Sequence, residues 1–289
     1  MSARTALLTA LAMLAFAGNS LLCRMALKLT AIDAASFTTV RLMSGAIVLW
    51  LLVRLRSEHG AGRAYGNWGS ALALFAYAAL FSYAYVGMTA ATGALLLFGA
   101  VQASMIGWGM VQGERLRPLQ WLGFVVALAG LAVLMLPGFV SPGWGDALAM
   151  LGAGVAWGVY SLRGRMKTAG QSADPTQTTC GNFVRTIPMA ILLSAATWPT
   201  MRLDSTGLAL AVASGALASG LGYAVWYRAL PALAATTAAT VQLCVPVLAA
   251  LGGVMLLGEA YTWALLASSL AILGGLALVI RRPRTPPAP

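Results

Sequence analysis

Ten apolar runs follow one another along the chain, at about residues 5–23, 34–54, 68–88, 90–112, 118–136, 144–163, 177–198, 206–230, 232–257 and 261–280. Each is close to the roughly 20 residues with which a helix crosses a bilayer. Polar or glycine-bearing joins separate them, the shortest near residues 89 and 231. Runs three and four are nearly continuous, but about 45 residues is twice what one crossing needs. Gly87 and Gly93 flank the turn expected between them. The pattern predicts an all-α polytopic membrane protein with ten transmembrane helices.

Composition agrees with this reading and removes the alternatives. Only 9% of the 289 residues are charged, where a soluble domain carries about 25%. Ten spans consume about 200 residues and leave about nine per connection or tail, so there is no room for a soluble domain. The net charge of +11 is topological rather than a nucleic-acid signal, because the cations sit between the apolar runs. With ten spans the termini share a side. On that side fall Arg4, Arg54, Arg56, Arg63, Arg115, Arg117, Arg163, Arg165, Lys167, Arg228, Arg281, Arg282 and Arg284, thirteen in all. Three (Arg24, Lys28 and Arg202) fall opposite. The excess predicts that both termini are cytoplasmic. A cleaved secretory signal ending at Ala15-Phe16-Ala17 is disfavoured, since the apolar run continues through Leu22. Trp50, Trp68, Trp121, Trp144, Trp198 and Trp263 lie near span ends, where indole rings favour the interface. Residues 281–289 read as a disordered cytoplasmic tail. Cys23, Cys180 and Cys244 are widely spaced and His59 is the lone histidine. Neither a disulfide framework nor a metal site is expected, and the cysteines read as small packing residues.

The chain reads as a duplication. A shift of 145 lays Gly107, Met110, Gly113-Glu114 and Gly130-Leu131-Ala132 on Gly252, Met255, Gly258-Glu259 and Gly275-Leu276-Ala277. A shift of 144 lays Val40-Arg41 and Ala46-Ile47 on Val184-Arg185 and Ala190-Ile191. Residues 1–139 and 140–280 then form two five-helix repeats. Because five is odd, the second must enter the membrane from the opposite side. Inverted repeats around a central cavity are a recurring plan for alternating access.

Charges inside the spans narrow the chemistry. Arg41 and Arg185 each lie about two turns into a span, where an unpartnered arginine is costly. The carboxylates in matching repeat positions are Glu259 and Glu114, so the expected pairs are Arg41–Glu259 and Arg185–Glu114. They either alternate as gates or pin the repeats statically, the simpler reading. No Asp or Glu lies in mid-span, which argues against a dedicated proton relay, and no nucleophile, base and orienting group gather at one depth. The polar residues at mid-depth are the amides Asn19, Gln102, Asn182 and Gln242. Pro246 should free the carbonyl of Gln242 and kink its helix, and Pro188 that of Val184. Tyr83, Phe98, Trp157, Tyr160, Tyr223 and Trp226 are candidates for an apolar wall, with Asn19, Gln102 and Gln242 for a polar head group. Tyr77, Phe81 and Tyr85 recur every four residues, a stripe that packing alone would also produce. Gly154-Val-Ala-Trp-Gly158 and Gly109-Met-Val-Gln-Gly113 have the spacing of close helix contacts.

These residues resemble a known family. Two five-helix repeats, each with a fourth helix ending in Gly-Glu (Gly113-Glu114 and Gly258-Glu259) and a glycine-rich fifth, look like the drug/metabolite transporter superfamily, EamA type. Pro246 fits that family's fourth-helix proline, which Val101 replaces in the first repeat. Trp157-Gly158 matches its first-helix Trp-Gly, with Phe16-Ala17-Gly18-Asn19 as the looser counterpart. Within the superfamily the chain is most similar to the YddG-type amino-acid exporters, a likeness that implies export of aromatic and other neutral amino acids.

The expectation is therefore an inner-membrane exporter of small amphiphilic metabolites, working by alternating access without a cofactor or catalytic activity. Its partners would be a small-molecule solute and the lipid bilayer, not nucleic acid, and a monomer suffices. Export of another metabolite or drug is the rival within this class. A non-transporting scaffold or an intramembrane enzyme is the rival outside it. A phosphorylated solute is disfavoured, since no basic residue is expected at the cavity centre.

Overall fold

The computed structural model describes residues 2–56, 65–113, 116–134, 143–165, 174–233, 241–260 and 262–280. Its elements are helical and run in the order the apolar pattern predicts. They are α1 (Ala3–Leu29), α2 (Ala34–Arg56), α3 (Trp68–Gly87), α4 (Ala90–Val111), α5 (Pro118–Leu134), α6 (Trp144–Arg165) and α7 (Pro175–Ala196). The next span is α8 (Ser205–Ala213), a π-helical segment (Ser214–Leu221) and α9 (Gly222–Ala229) end to end. After residues outside the described set come α10 (Cys244–Leu257) and α11 (Trp263–Ile280). By length and composition, five stretches can cross a membrane: Ala3–Leu29, Ala34–Leu55, Trp68–Gly87, Ala90–Val111 and Ser205–Ala229. Shorter apolar helices accompany them, and together they make a multi-pass membrane protein.

Short polar caps set the boundaries. Ser2 accepts from the Thr5 amide, Asn67 from Ser70, Thr89 from Thr92 and Asp204 from Gly207, each supplying an oxygen to an otherwise unpaired N–H of a first turn. The join between α3 and α4 is Met88 with the Thr89 cap, close to the predicted turn. Pro188 sits inside a continuous α7. Near Pro246 the helix is interrupted at Leu243, and α10 restarts at Cys244. The proline therefore occupies a first turn, where its missing N–H leaves no ladder bond unmade. The six interfacial tryptophans named above are all solvent- or lipid-exposed. Cys23 and Cys180 are buried, whereas Cys244 is exposed and so is not a core packing residue.

The helices pair reciprocally. α1 lies against α8, the π segment, α9 and α10, while α6 lies against α3 and α4. α2 packs on α7, and α5 on α11. Close backbone approach makes these pairings possible. A Cβ at Gly154 would lie 2.5 Å from the Ala100 Cβ, and one at Gly158 would collide with Ser104, so the Gly154/Gly158 face brings α6 onto α4. In the α5–α11 pair, a Cβ on either Gly123 or Gly275 would stand 2.5 Å from the other's carbonyl oxygen.

Because backbone oxygens cannot retreat as flexible side chains do, Gly123→Ala or Gly275→Ala should push α5 and α11 apart. We expect a loss of about 1–3 kcal/mol, read as a lower melting temperature of the detergent-purified protein. Gly18→Ala, where nothing lies within 4 Å of the new methyl, should be silent.

Candidate functional site

A small cavity lies between the helices. Phe16, Asn19 and Ser20 of α1 line it, with Tyr77 and Phe81 of α3, Leu97 and Phe98 of α4, Trp157 of α6 and Tyr223 of α9. Trp157 is the hub of the wall. Its ring lies 4.8 Å from that of Tyr77, 5.0 Å from Tyr223, 5.5 Å from Tyr160 and 6.3 Å from Phe16. Phe16 also stacks edge-on to Tyr223 and Trp226, both at 5.8 Å. These tilted and edge-to-face arrangements place ring edges against ring faces, the favourable quadrupole geometry.

Beneath the rings runs a polar chain. The Ser214 hydroxyl donates to Asn19 Oδ1 (2.7 Å), and Asn19 Nδ2 donates to the Tyr77 hydroxyl (3.2 Å). Arg41 Nη2 donates to the same hydroxyl (3.2 Å), and Arg41 Nε donates to Ser219 Oγ (3.2 Å). Arg41 is 1% exposed. Its guanidinium carbon lies 4.9 Å from the Phe81 ring centre and 5.2 Å from that of Tyr77, within cation–π range. Both serines belong to the π segment, whose wider turn puts residues five apart on one side. Gly215 lets this segment approach α2, because any Cβ there would meet the Arg41 carbonyl and the Ser44 hydroxyl.

Of the residues expected at the cavity, Asn19, Phe98, Trp157 and Tyr223 line it. Tyr160 and Trp226 are buried against the wall rings Trp157 and Phe16, and Gln102 is buried on α4 outside the lining. Gln242 is half-buried beside the break before α10. Tyr83 does not belong: it is 40% exposed, since Tyr77, Phe81 and Tyr85 occupy the inward face of α3 and Tyr83 is turned off it. The aromatic stripe, which packing could have explained, supplies two wall residues. Asn182 bridges elsewhere, donating to the Tyr160 hydroxyl (3.4 Å) and accepting from the Asn67 amide (3.0 Å). The serines of the π segment carried no pattern to single them out. No basic residue lines the cavity among the described residues, but Arg41 touches the wall from behind through Tyr77.

A family model, the EamA-like transporter family, matches residues 143–281. An uncharacterized protein of Pseudomonas aeruginosa is 57% identical over 277 residues, covering 96% of this chain and 94% of that protein. The chain belongs to the EamA-like transporter family. An uncharacterized transporter of Archaeoglobus fulgidus is 27% identical over 90% of this chain and 91% of its own. The threonine/homoserine exporter RhtA of Salmonella typhimurium is 34% identical over 176 residues, 57% of each chain. A solved structure superposes with a TM-score of 0.68 over 96% of this chain and 98% of its own, at 21% identity, so the fold is shared.

Polar contacts join the helices at both ends of the bundle. At one end Arg24 Nε pairs with Glu259 Oε1 at 3.1 Å, the ion pair among the described residues. Arg24 Nη1 also donates to the carbonyls of Tyr85 (2.8 Å) and Val86 (2.9 Å), capping the end of α3. Glu259 Oε2 accepts from the Ala90 amide (2.8 Å) at the start of α4, where the helix dipole favours a carboxylate. Lys28 donates to the Leu257 carbonyl (3.2 Å). The expected Arg41–Glu259 pair is thus replaced. Arg24 lies at the depth of Glu259, near the end of α1, whereas Arg41 is drawn inward to Tyr77 and Ser219.

At the same end, Asp33 Oδ2 accepts from the Arg202 amide (2.9 Å), and the Asp33 amide donates to the Arg202 carbonyl (3.1 Å). Asp204 Oδ2 accepts from the Ala31 amide (2.9 Å). At the opposite end Arg163 donates to Asn67 Oδ1 (3.0 Å) and Ser70 Oγ (3.2 Å). Arg185 donates to the carbonyls of Tyr65 and Gly181, both at 2.9 Å. Its expected partner Glu114 lies outside the described residues.

Removing Arg24 should strand Glu259 as a buried charge. Arg24→Ala should cost about 3–5 kcal/mol, and Arg24→Ala with Glu259→Gln distinctly less than the two separate losses combined. A double-mutant cycle on melting temperature reads this. The Asp33 clasp has a pH signature. Burial works to raise its carboxyl, but the hydrogen bonds from Arg202, Ser36 and Ala35 outweigh it and hold the group below the ordinary 3.8. Its contribution is therefore complete above the ordinary value and lost as pH falls through the lower folded one. Asp33→Asn should lower stability at neutral pH and flatten the acid limb of a pH–melting curve.

Proposed function

We propose that this family member exports small amphiphilic solutes of the amino-acid class, with an apolar or aromatic side chain, across the bacterial inner membrane by alternating access. The observation that carries the reading is the central cavity, an aromatic wall with amide and hydroxyl groups on one side. Such a lining suits one end apolar and one end polar. The relation to a threonine/homoserine exporter supports the solute class, and the rings around Trp157 favour larger side chains.

Alternating access draws on the reciprocal packing. If residues 1–139 and 140–280 are inverted repeats, α1 and α6 are equivalent, and each lies on the third and fourth helices of the other repeat. The pairings α1 with α8–α10, α6 with α3 and α4, α2 with α7, and α5 with α11 agree with such a two-fold. Rocking one repeat against the other would then open the cavity to one side at a time. The distribution of Lys and Arg supports cytoplasmic termini. In this orientation the Arg24–Glu259 and Asp33–Arg202 clasps close the periplasmic side, and export requires both to part.

Proteoliposomes of the purified chain should exchange labelled phenylalanine or tryptophan above empty liposomes. Trp157→Ala should lower exchange by about tenfold or more, the loss of one large aromatic contact, while Tyr83→Ala should leave it unchanged. No exchange by the wild type across neutral amino acids and related metabolites would overturn the reading.

A further inference from the structure

Arg41 differs from every other charged group described. It is 1% exposed, lies about two turns inside α2, and its Nη1 has no hydrogen-bond partner. The described carboxylates are all elsewhere. Asp33 and Asp204 bond loop amides, Glu259 bonds Arg24, and Asp146 and Asp174 stand at the starts of α6 and α7. Hydroxyls and ring faces solvate a guanidinium but do not neutralise it. A full positive charge is therefore left beside the central cavity, with both N–H groups of Nη1 unused.

The guanidinium meets the cavity wall at the Phe81 and Tyr77 rings and, by a hydrogen bond, at the Tyr77 hydroxyl. The Tyr77 hydroxyl oxygen accepts from both Arg41 Nη2 and Asn19 Nδ2, and Tyr77 and Asn19 both line the wall.

We propose that Arg41, acting with Tyr77 and Asn19, is the receptor for one negative charge on the transported solute, so that the central site takes a carboxylate-bearing molecule. This rests on the transport reading and deepens it. An amphiphile would lay its apolar part among Phe16, Phe98, Trp157 and Tyr223, with its carboxylate at the Tyr77–Asn19 edge. A cationic amine lacking the carboxylate would meet uncompensated repulsion there. Solute binding would supply the missing counter-charge, which gives the site a physical reason to prefer acids over their amides.

The test compares phenylalanine, phenylalaninamide and phenylethylamine on the full-length protein. In wild-type proteoliposomes, unlabelled phenylalanine should compete with labelled phenylalanine at least about tenfold better than either derivative, the worth of one charge-assisted hydrogen bond. Arg41→Lys should keep that order, and Arg41→Gln should abolish it. A merely structural arginine would change total activity but not the ratio. Quenching of tryptophan fluorescence on the wild type, with Trp157 in the wall, gives the same comparison without transport or any variant. Equal binding of the acid and its amide, no binding of any carboxylate, or an unchanged ratio in Arg41→Gln overturns the proposal. Charge-selective quenching without exchange would instead overturn the transport reading and leave the receptor standing.

Discussion

Inside a bilayer-thick bundle a polar group has no water to fall back on, so it must be satisfied by the protein itself. The arrangement of this transporter follows from where that requirement is met and where it is not quite met. Along the spans it is met by helical backbone and by hydroxyls bonding back to their own turn, as Thr9, Thr38 and Ser82 do. At the bundle ends it is met by side chains that reach from one half of the chain to the other. Among the described residues it remains open at Arg41 Nη1 and at Ser268 Oγ, and the first of these borders the cavity wall.

The end clasps have a shared logic. Arg24 and Glu259 bond each other and also the facing ends of α3 and α4, so one ion pair serves two helix termini. Asp33 and Asp204 do the same for the loops near Arg202 and Ala31. Most of these bonds are to backbone groups, which reform in the same geometry after parting. That suits the parting and rejoining which the proposed alternating access requires, whereas an interlocked apolar seal would have to be repacked each time.

The π segment links the two features. A regular helix from Ser205 to Ala229 would place Ser214 and Ser219 about 140° apart around its axis. The π turn brings both hydroxyls to the face that meets Asn19 and Arg41. Gly215 makes room for α2 at the same point. Local irregularity here organises the polar chain that a straight helix would have split.

Much of this was legible from the chain alone, for a definite reason. The apolar runs, the caps and the Gly154/Gly158 spacing are local, and a bilayer allows few solutions for an apolar segment of about 20 residues. Asn19 and Trp157 could be named because an amide or an indole at mid-depth is conspicuous against aliphatic neighbours. Partner choice was not legible. Charge and repeat position pointed from Arg41 to Glu259, but Arg24 takes that place, because depth on two different helices decides the pairing. Tyr83 and Tyr85 are two residues apart on one helix, yet packing buries one and exposes the other. The sequence by itself determined that the chain folds as apolar helices in a membrane, because hydropathy acts residue by residue. Which helices meet, and therefore which charge stands beside the cavity with no described carboxylate against it, only the tertiary structure decided, because contact depends on rotation and depth that no local pattern encodes.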